Sequence, residues 1–137
     1  MTSSHVESML KEANVAVLAT VDTKGHAHAA PIWYLFEDGD FLISTGRGSQ
    51  KHLNVEAHPH VTLVIDKREV PYLAAMVRGK AQIEDGFSED QRQELAFRYL
   101  GEEVGRAYLK STEGGSSITI RLRPDKIIEF NGRAGSE

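Results

Sequence analysis

Runs of apolar and β-branched residues, bounded by turn-forming residues, recur along most of this chain. Such runs are typical of β-strands. Their number favours an all-β barrel, and alternating strand–helix units, which would indicate a doubly wound sheet, are missing. The last two predicted strands lie on either side of Pro124. The predicted strands are Val15–Val21, Ala27–Phe36, Phe41–Thr45, His60–Asp66, Tyr72–Ile83, Ile118–Leu122 and Lys126–Phe130.

Local signals predict one tight turn and a few helices. Asp38 and Gly39 separate two apolar runs, which is a strong indication of a β-hairpin. Ser88 and Gln91 form a predicted capping box at the start of a helix. The other predicted helices open the chain, follow Ser49 as far as Ala57, and lie around Val104–Leu109. The apolar positions at helical spacing are Val6, Met9, Leu10 and Ala13 in the first helix, and Leu95 and Leu100 in the capped one.

Composition narrows the class of protein. The chain has 137 residues, of which 40% are hydrophobic and 26% charged, as in a single soluble domain. We therefore take residues 1–137 as one domain, with Gly132–Glu137 as a loose tail. No apolar run approaches the ~18 residues of a membrane span, and the N-terminus lacks a signal-peptide pattern. Since the chain also has no cysteine, we expect neither disulfides nor thiolate sites, and a cytoplasmic location.

The segment from Thr45 to Asn54 carries the clearest candidate chemistry. A strand ends at Thr45, two glycines follow, and a helix begins after Ser49. Such a turn presents backbone N–H groups and the positive end of the helix dipole at one point. The side chains of Ser49, Arg47 and Lys51 add further donors, so the segment is a predicted phosphate site. The alternative is an ordinary loop with a capping serine and two solvated cations.

The overall charge and the spacing of the histidines argue against a nucleic-acid site and a metal site. A net charge of −4 argues against a nucleic-acid binder, whose surface is normally basic. His26 and His28 share one strand face, as do His58 and His60 if both are extended. No carboxylate is spaced to complete either pair as a set of three or four metal ligands. We therefore expect solvated histidines and no metal.

Three further residues are candidates with plain structural alternatives. Trp33, beside Tyr34 on a predicted strand, is either core filler or a wall of a cofactor site. Tyr72 either presents its hydroxyl on the substrate side or is an ordinary edge tyrosine. It is the one catalytic candidate. Arg78 shares a strand face with Lys80 and either meets the cofactor or substrate across a dimer or is solvated.

In this order and spacing, the motifs resemble those of the pyridoxamine 5′-phosphate oxidase-like superfamily of FMN-binding split barrels. Finer features are similar to its F420-dependent (deazaflavin) oxidoreductase branch. The resemblance extends from Val15 to Phe130, and it implies a mainly β fold, a six-stranded Greek-key split β-barrel with peripheral helices. The motifs that carry it are Ala19–Asp22 with Gly25, Pro31–Tyr34, Ser49–Asn54, Pro71–Tyr72 and Val77–Ala81.

The resemblance also implies a set of cofactor-binding residues. One group follows the cofactor ring, a second holds the phosphate, and two arginines lie further out. The predicted residues are Pro31, Ile32 and Trp33 at the ring, Thr45, Ser49, Gln50 and Lys51 at the phosphate, Arg47 at the glutamate tail, and Arg78 from across a dimer.

Departures from the family pattern bear on which cofactor is used. The FMN-using oxidases usually have arginine where this chain has Ala29 and Gln50, and lysine where it has Tyr34. Loss of these cations disfavours FMN, whose terminal phosphate is a dianion, and suits F420, whose phosphodiester carries one charge. We expect an F420-dependent reductase that transfers a hydride to an unsaturated, biliverdin- or quinone-like substrate. An FMN-dependent oxidase or reductase and a non-enzymatic flavin- or haem-binding protein remain open.

The expected barrel also predicts the oligomeric state. A barrel of this size is filled with side chains, so a cofactor must lie on its outer surface. A second subunit is then needed to bury the cofactor, and the resemblance implies the same arrangement. We expect a homodimer with the cofactor site at the subunit interface and a small-molecule substrate, without nucleic-acid or membrane partners.

Overall fold

The computed structural model describes residues 3–70 and 72–131. Pro71 and the tail predicted at Gly132–Glu137 lie outside the described residues. In the described part of the chain, no helix combines the length and the apolar character needed to cross a membrane. The described helices are α1 (Ser4–Leu10), α2 (Gln50–Ala57) and α3 (Glu89–Ser111), and the strands are β1 (Ala16–Val21), β2 (Ala27–Ile32), β3 (Leu35–Glu37), β4 (Asp40–Gly46), β5 (His60–Asp66), β6 (Leu73–Asp85) and β7 (Ser117–Asn131).

All the described strands belong to one antiparallel sheet in the order β2-β1-β5-β6-β7-β4-β3. β2 and β3 lie at opposite ends of this order, yet only Trp33 and Tyr34 separate them. The chain from Ile32 to Leu35 spans at most ~11 Å, so the sheet curls until its two ends meet. The predicted mainly β fold is therefore confirmed. The described residues form seven strands where six were expected from the resemblance, because the chain breaks between Ile32 and Leu35 and so adds the short strand β3.

Two strand predictions are wrong, for opposite reasons. The strand predicted at Ala27–Phe36 is interrupted at Trp33, where the chain passes from one end of the sheet to the other. The two strands predicted around Pro124 are instead one strand, β7. Pro124 pairs with Gly79 at a register shift in the ladder, and a proline, which lacks an N–H, is tolerated at such a bulge. A side chain on Gly79 would collide with the carbonyl oxygen of Arg123.

The local turn and cap signals are confirmed. Asp38 and Gly39 have φ of 51° and 82° between paired β3 and β4, and positive φ at both positions is what a type I′ hairpin requires. Ser88 and Gln91 form the predicted capping box. α3 has a non-helical kink at Gly101, so the two helices predicted in this region are its two arms. α1 ends at Leu10, and Ala13, predicted on its apolar face, is exposed.

Replacing Ser88 with alanine should lower the free energy of unfolding by about 1 kcal/mol. The Ser88 hydroxyl accepts from the Gln91 amide at 3.1 Å, and the Gln91 side chain accepts from the Ser88 amide at 3.0 Å. Urea denaturation measures the change, with exposed Ser8 of α1 replaced by alanine as the control. Equal midpoints for the Ser88 variant and the control would contradict the stabilising role of the box.

Apolar side chains from α1 and from alternate positions of the strands fill the inside of the barrel. These side chains are almost completely buried, so the interior is occupied and a ligand must lie on the outer wall. α3 covers one part of that wall, next to Trp33. The largest core side chains include Met9, Leu10, Leu18, Tyr34, Phe41, Ile43, Leu63, Ile65, Ile118 and Ile120.

Candidate functional site

The turn Gly46–Ser49 joins β4 to α2, and we call it the β4–α2 turn. Thr45 lies at the end of β4, and Ser49 is the N-cap of α2. Their hydroxyl oxygens are 3.0 Å apart. The Ser49 oxygen also accepts from the backbone amide of His52 at 3.3 Å. The structure thus confirms Ser49 as a cap and places both hydroxyls at the positive end of the helix dipole.

The backbone amides of this region fall into two groups. The amides of Gln50 and Lys51, in the first turn of α2, have no hydrogen-bond partner among the described residues. Free amides at a helix N-terminus are donors for an anion. The three amides before them are used internally: Arg47 donates to the Ser116 carbonyl (3.3 Å), Gly48 to the His52 ring (2.9 Å) and Ser49 to the Gly46 carbonyl (3.0 Å).

The side chains of Gln50 and Lys51 differ in how far they are free to bind an anion. The side-chain amide of Gln50 donates to Asn54 at 2.7 Å, and Asn54 donates to the buried hydroxyl of Thr20 at 3.0 Å. This chain of bonds fixes α2 to β1 and uses one of the two N–H groups of the Gln50 side chain. Lys51 is half-buried and makes no ion pair with a described carboxylate. Arg47 is exposed at the rim of the turn.

The residues predicted at the cofactor ring have three different environments. Pro31 is exposed on the outer wall at the end of β2. Ile32 packs against the core, so only its backbone is available to a ligand outside. Trp33 stacks on Tyr99 with ring centroids 4.7 Å apart and has a tilted contact with Tyr108 at 5.9 Å. One face of the Trp33 ring is therefore already covered by α3.

Tyr34, the neighbour of Trp33, faces the core. It is completely buried, and its hydroxyl donates to the Leu10 carbonyl at 2.8 Å. Burial, with the nearby Tyr99 hydroxyl, raises the pKa of the Tyr34 phenol well above its usual value, so it remains a donor. Because this side chain is buried in the core, the absence of a lysine at position 34 does not distinguish FMN from F420. Among the three positions, only Ala29 and Gln50 therefore disfavour FMN.

An apolar row crosses the uncovered part of the outer wall, where five strands lie side by side. The β-ladder sets its members directly opposite one another, and we call them the outer apolar row. Met76 and Ile128 are 42% and 41% exposed, and Pro31, one of the predicted ring contacts, is at one end. The row consists of Pro31, Val17, Val64, Met76 and Ile128.

Arg78 and Tyr72 are at even spacing from Met76, which places them on the same side of β6 as the outer apolar row. Arg78 is exposed on β6, opposite Thr62 and Lys126. It lines a small groove of about 310 Å³ that includes Thr62 but no residue of the turn. Tyr72 is 51% exposed just before β6. Within residues 3–70 and 72–131, neither residue forms a hydrogen bond with the turn.

Two of the histidines lie beside a carboxylate, with which they interact. His28 and His26 approach Asp22 at 3.1 and 3.5 Å. The backbone amide of His26 and then the ring of His28 lower the pKa of Asp22 to about 2 by donating hydrogen bonds to it. Within residues 3–70 and 72–131, no cluster of three or more His, Cys, Asp or Glu side chains is arranged to hold a metal ion.

The fold agrees with what comparison with known proteins finds. The chain matches the Pyridoxamine 5′-phosphate oxidase family over residues 2–131, and it therefore belongs to that family. A comparison with curated proteins finds no match.

Several solved structures share this fold at low sequence identity. A conserved hypothetical protein from Mycobacterium tuberculosis is 18% identical, with a TM-score of 0.78 over 97% of this chain and 86% of the other. An F420 reductase is 23% identical, with a TM-score of 0.73 over 89% of this chain and 94% of the other. HutZ, the haem storage protein from Vibrio cholerae, is 16% identical, with a TM-score of 0.68 over 93% and 92%. At these identities, the comparisons show the fold alone.

Proposed function

We propose that this protein is an F420-dependent reductase that transfers a hydride from the reduced deazaflavin to an unsaturated organic substrate. The observation that carries the proposal is the donor set at the β4–α2 turn. Lys51 supplies one unpaired positive charge beside the free amides of Gln50 and Lys51 and the paired hydroxyls of Thr45 and Ser49. One cation with neutral donors suits a phosphodiester, which carries one negative charge.

The remaining predicted contacts follow from this anchor. Arg47, exposed at the rim, is positioned for the carboxylates of the glutamate tail. Pro31 and the backbone of Ile32 would lie along the ring on the outer wall, and Trp33 would hold that segment through its stack on Tyr99. A structural neighbour that is itself an F420 reductase supports the choice of cofactor.

We also propose a homodimer with the cofactor site shared between its subunits. The outer apolar row reaches Pro31, so a second copy that covers the row would also cover a ring lying against Pro31. Arg78 and Tyr72 lie on the same wall and would reach the site of the other copy. Covering this wall would exclude water from the ring, which one copy alone leaves open.

When bound, reduced F420 supplies the hydride, and the protein's task is to bind and orient. Thr45, Ser49 and Lys51 would hold the phosphate, which fixes the position of the ring along β2. The substrate would lie between the ring and the second subunit. The proton that completes the reduction would come from solvent or from the Tyr72 hydroxyl, which is half-exposed on the wall facing the partner.

A flavin-dependent enzyme is the second candidate, because the family is that of pyridoxamine 5′-phosphate oxidase. A haem-binding protein without activity is a third, since HutZ has this fold. The absorption spectrum of the purified protein separates deazaflavin, flavin and haem. Turnover with the reduced cofactor then separates an enzyme from a binding protein.

Titration of the cofactor-free protein is expected to show tighter binding of F420 than of FMN. The reason is that Ala29 and Gln50 supply no positive charge for the dianionic phosphate of FMN, and the Gln50 side chain is bonded to Asn54. Fluorescence titration with each cofactor at the same ionic strength measures the two affinities. Tighter binding of FMN, or FMN co-purifying in stoichiometric amount, would refute the deazaflavin assignment.

A further inference from the structure

His52 is a buried residue of α2 whose ring nitrogens both have partners. Its Nδ1 is 2.9 Å from the backbone nitrogen of Gly48, and its Nε2 is 3.2 Å from a carboxylate oxygen of Glu56. The residue is 7% exposed. The proposed cofactor contacts do not involve this side chain.

The two contacts determine the protonation state of the ring. A backbone N–H only donates, so Nδ1 of His52 must be the unprotonated acceptor. Nε2 then carries the hydrogen and donates it to the carboxylate of Glu56. The observed shape of the turn therefore requires a neutral His52 in a single tautomer.

His52 also joins the middle of the β4–α2 turn to the helix twice. Its ring accepts from Gly48, and its own backbone amide donates to the hydroxyl of Ser49. Gly48 is held at a φ of +83°. With Gly48 turned towards His52, the next unbonded amides along the chain are those of Gln50 and Lys51.

We propose that His52 is a positioning residue that holds the β4–α2 turn in the shape needed to bind the cofactor phosphate. It acts through Nδ1 on Gly48 and does not touch the anion. The identity of the anion rests on the proposed function, but the effect on the turn does not. Without the acceptor, Gly48 loses its fixed orientation, and the hydroxyls and free amides no longer converge.

Two substitutions distinguish the contribution of Nδ1 from that of Nε2. In His52→Asn, the side-chain oxygen replaces Nδ1 and keeps an acceptor for Gly48 while the contact with Glu56 is lost. In His52→Gln, the longer amide keeps a donor for Glu56 but has no acceptor beside Gly48. A merely structural histidine would show the same effect in both variants.

The experiment measures the affinity for oxidised F420 by fluorescence, the melting temperature, and hydrogen exchange of the Gly48 amide by NMR. His52→Asn is expected to bind within about twofold of the unmodified protein, and His52→Gln about five- to tenfold more weakly, the size expected from one lost hydrogen bond. The Gly48 amide should exchange slowly in the first variant and rapidly in the second. Glu56→Gln and His58→Ala are the controls and should change neither the affinity nor the exchange of the Gly48 amide; His58 is an exposed histidine after α2.

Equal losses of affinity in both variants, matched by equal losses of melting temperature, would overturn the positioning role, as would unchanged binding in His52→Gln. If the unmodified protein binds neither F420 nor FMN, the proposed function fails by itself. In that case, hydrogen exchange of the Gly48 amide in the two His52 variants is sufficient to test the positioning role. Slow exchange in His52→Asn with rapid exchange in His52→Gln supports it, and equal exchange overturns it.

Discussion

Replacing Lys51 with alanine is expected to weaken cofactor binding by roughly ten- to a hundredfold. Lys51 is half-buried and makes no ion pair with a carboxylate of the described residues, and two free backbone amides, its own and that of Gln50, lie in the same turn of α2. A charged donor paired with a phosphate at such a site contributes ~1.5–3 kcal/mol. The melting temperature should hardly change, because removing a lysine that has no ion pair costs little stability.

The control for Lys51 is Lys24→Ala, at the exposed turn between β1 and β2, which should leave affinity unchanged. Fluorescence titration with F420 gives the affinities of both variants. Ser49→Ala is less informative, because Ser49 both caps α2 and adjoins Thr45, so stability and binding would change together. Unchanged binding in Lys51→Ala, with an unchanged melting temperature, would mean that the anion site is elsewhere.

If the protein forms the homodimer proposed above, replacing Met76 with glutamate is expected to convert it to a monomer and to abolish cofactor binding at micromolar concentrations. Met76 is at the centre of the uncovered wall, between Val64 and Ile128. A carboxylate buried there by a second copy would have apolar neighbours and no counter-ion in the row, which costs several kcal/mol. Sedimentation velocity measures the oligomeric state, and titration with F420 measures binding.

Val104→Glu is the matched control, since Val104 is an exposed apolar residue of α3, 57% accessible and outside the row. It should leave both the dimer and the affinity unchanged. A dimeric Met76→Glu variant would place the subunit contact on another surface. A monomer that still binds F420 fully would show that the site does not need a second copy.

Signals that act between near neighbours in the chain were sufficient for much of this fold. Asp38 and Gly39 predict their hairpin because the turn needs only their own backbone angles. Ser49 and Ser88 predict their caps because a hydroxyl reaches an amide three residues ahead. The arrangement of the donors from Thr45 to Lys51 was predictable for the same reason, since one strand end, one turn and the start of one helix carry them all.

Features that depend on distant parts of the chain were not predictable. The break at Trp33 exists because the sheet closes on itself, which no local pattern records. The continuity of β7 past Pro124 depends on Gly79, far away in sequence, allowing a bulge. Tyr34 faces the core because α1 supplies a carbonyl acceptor for its hydroxyl there.

His52 lay inside the segment that the sequence singled out, yet its role was missed. The available signal was a histidine four residues after Gly48 and three after the cap residue. That spacing brings its ring over the preceding turn only once the helix has formed. A search for charges and hydroxyls passes over such a residue, because its contribution is a lone pair directed at a backbone amide.

The position of β7 at the end of the fold has a consequence for how the chain reaches its native state. β7 pairs with both β6 and β4, and Phe41 of β4 is opposite Leu122. The barrel therefore cannot close during synthesis until the chain as far as Asn131 has emerged. Contacts of such large sequence separation make folding slow, on the order of milliseconds to seconds. Until β7 docks, β4 and β6 expose unpaired edges and core side chains, and the nascent chain is then most vulnerable to aggregation.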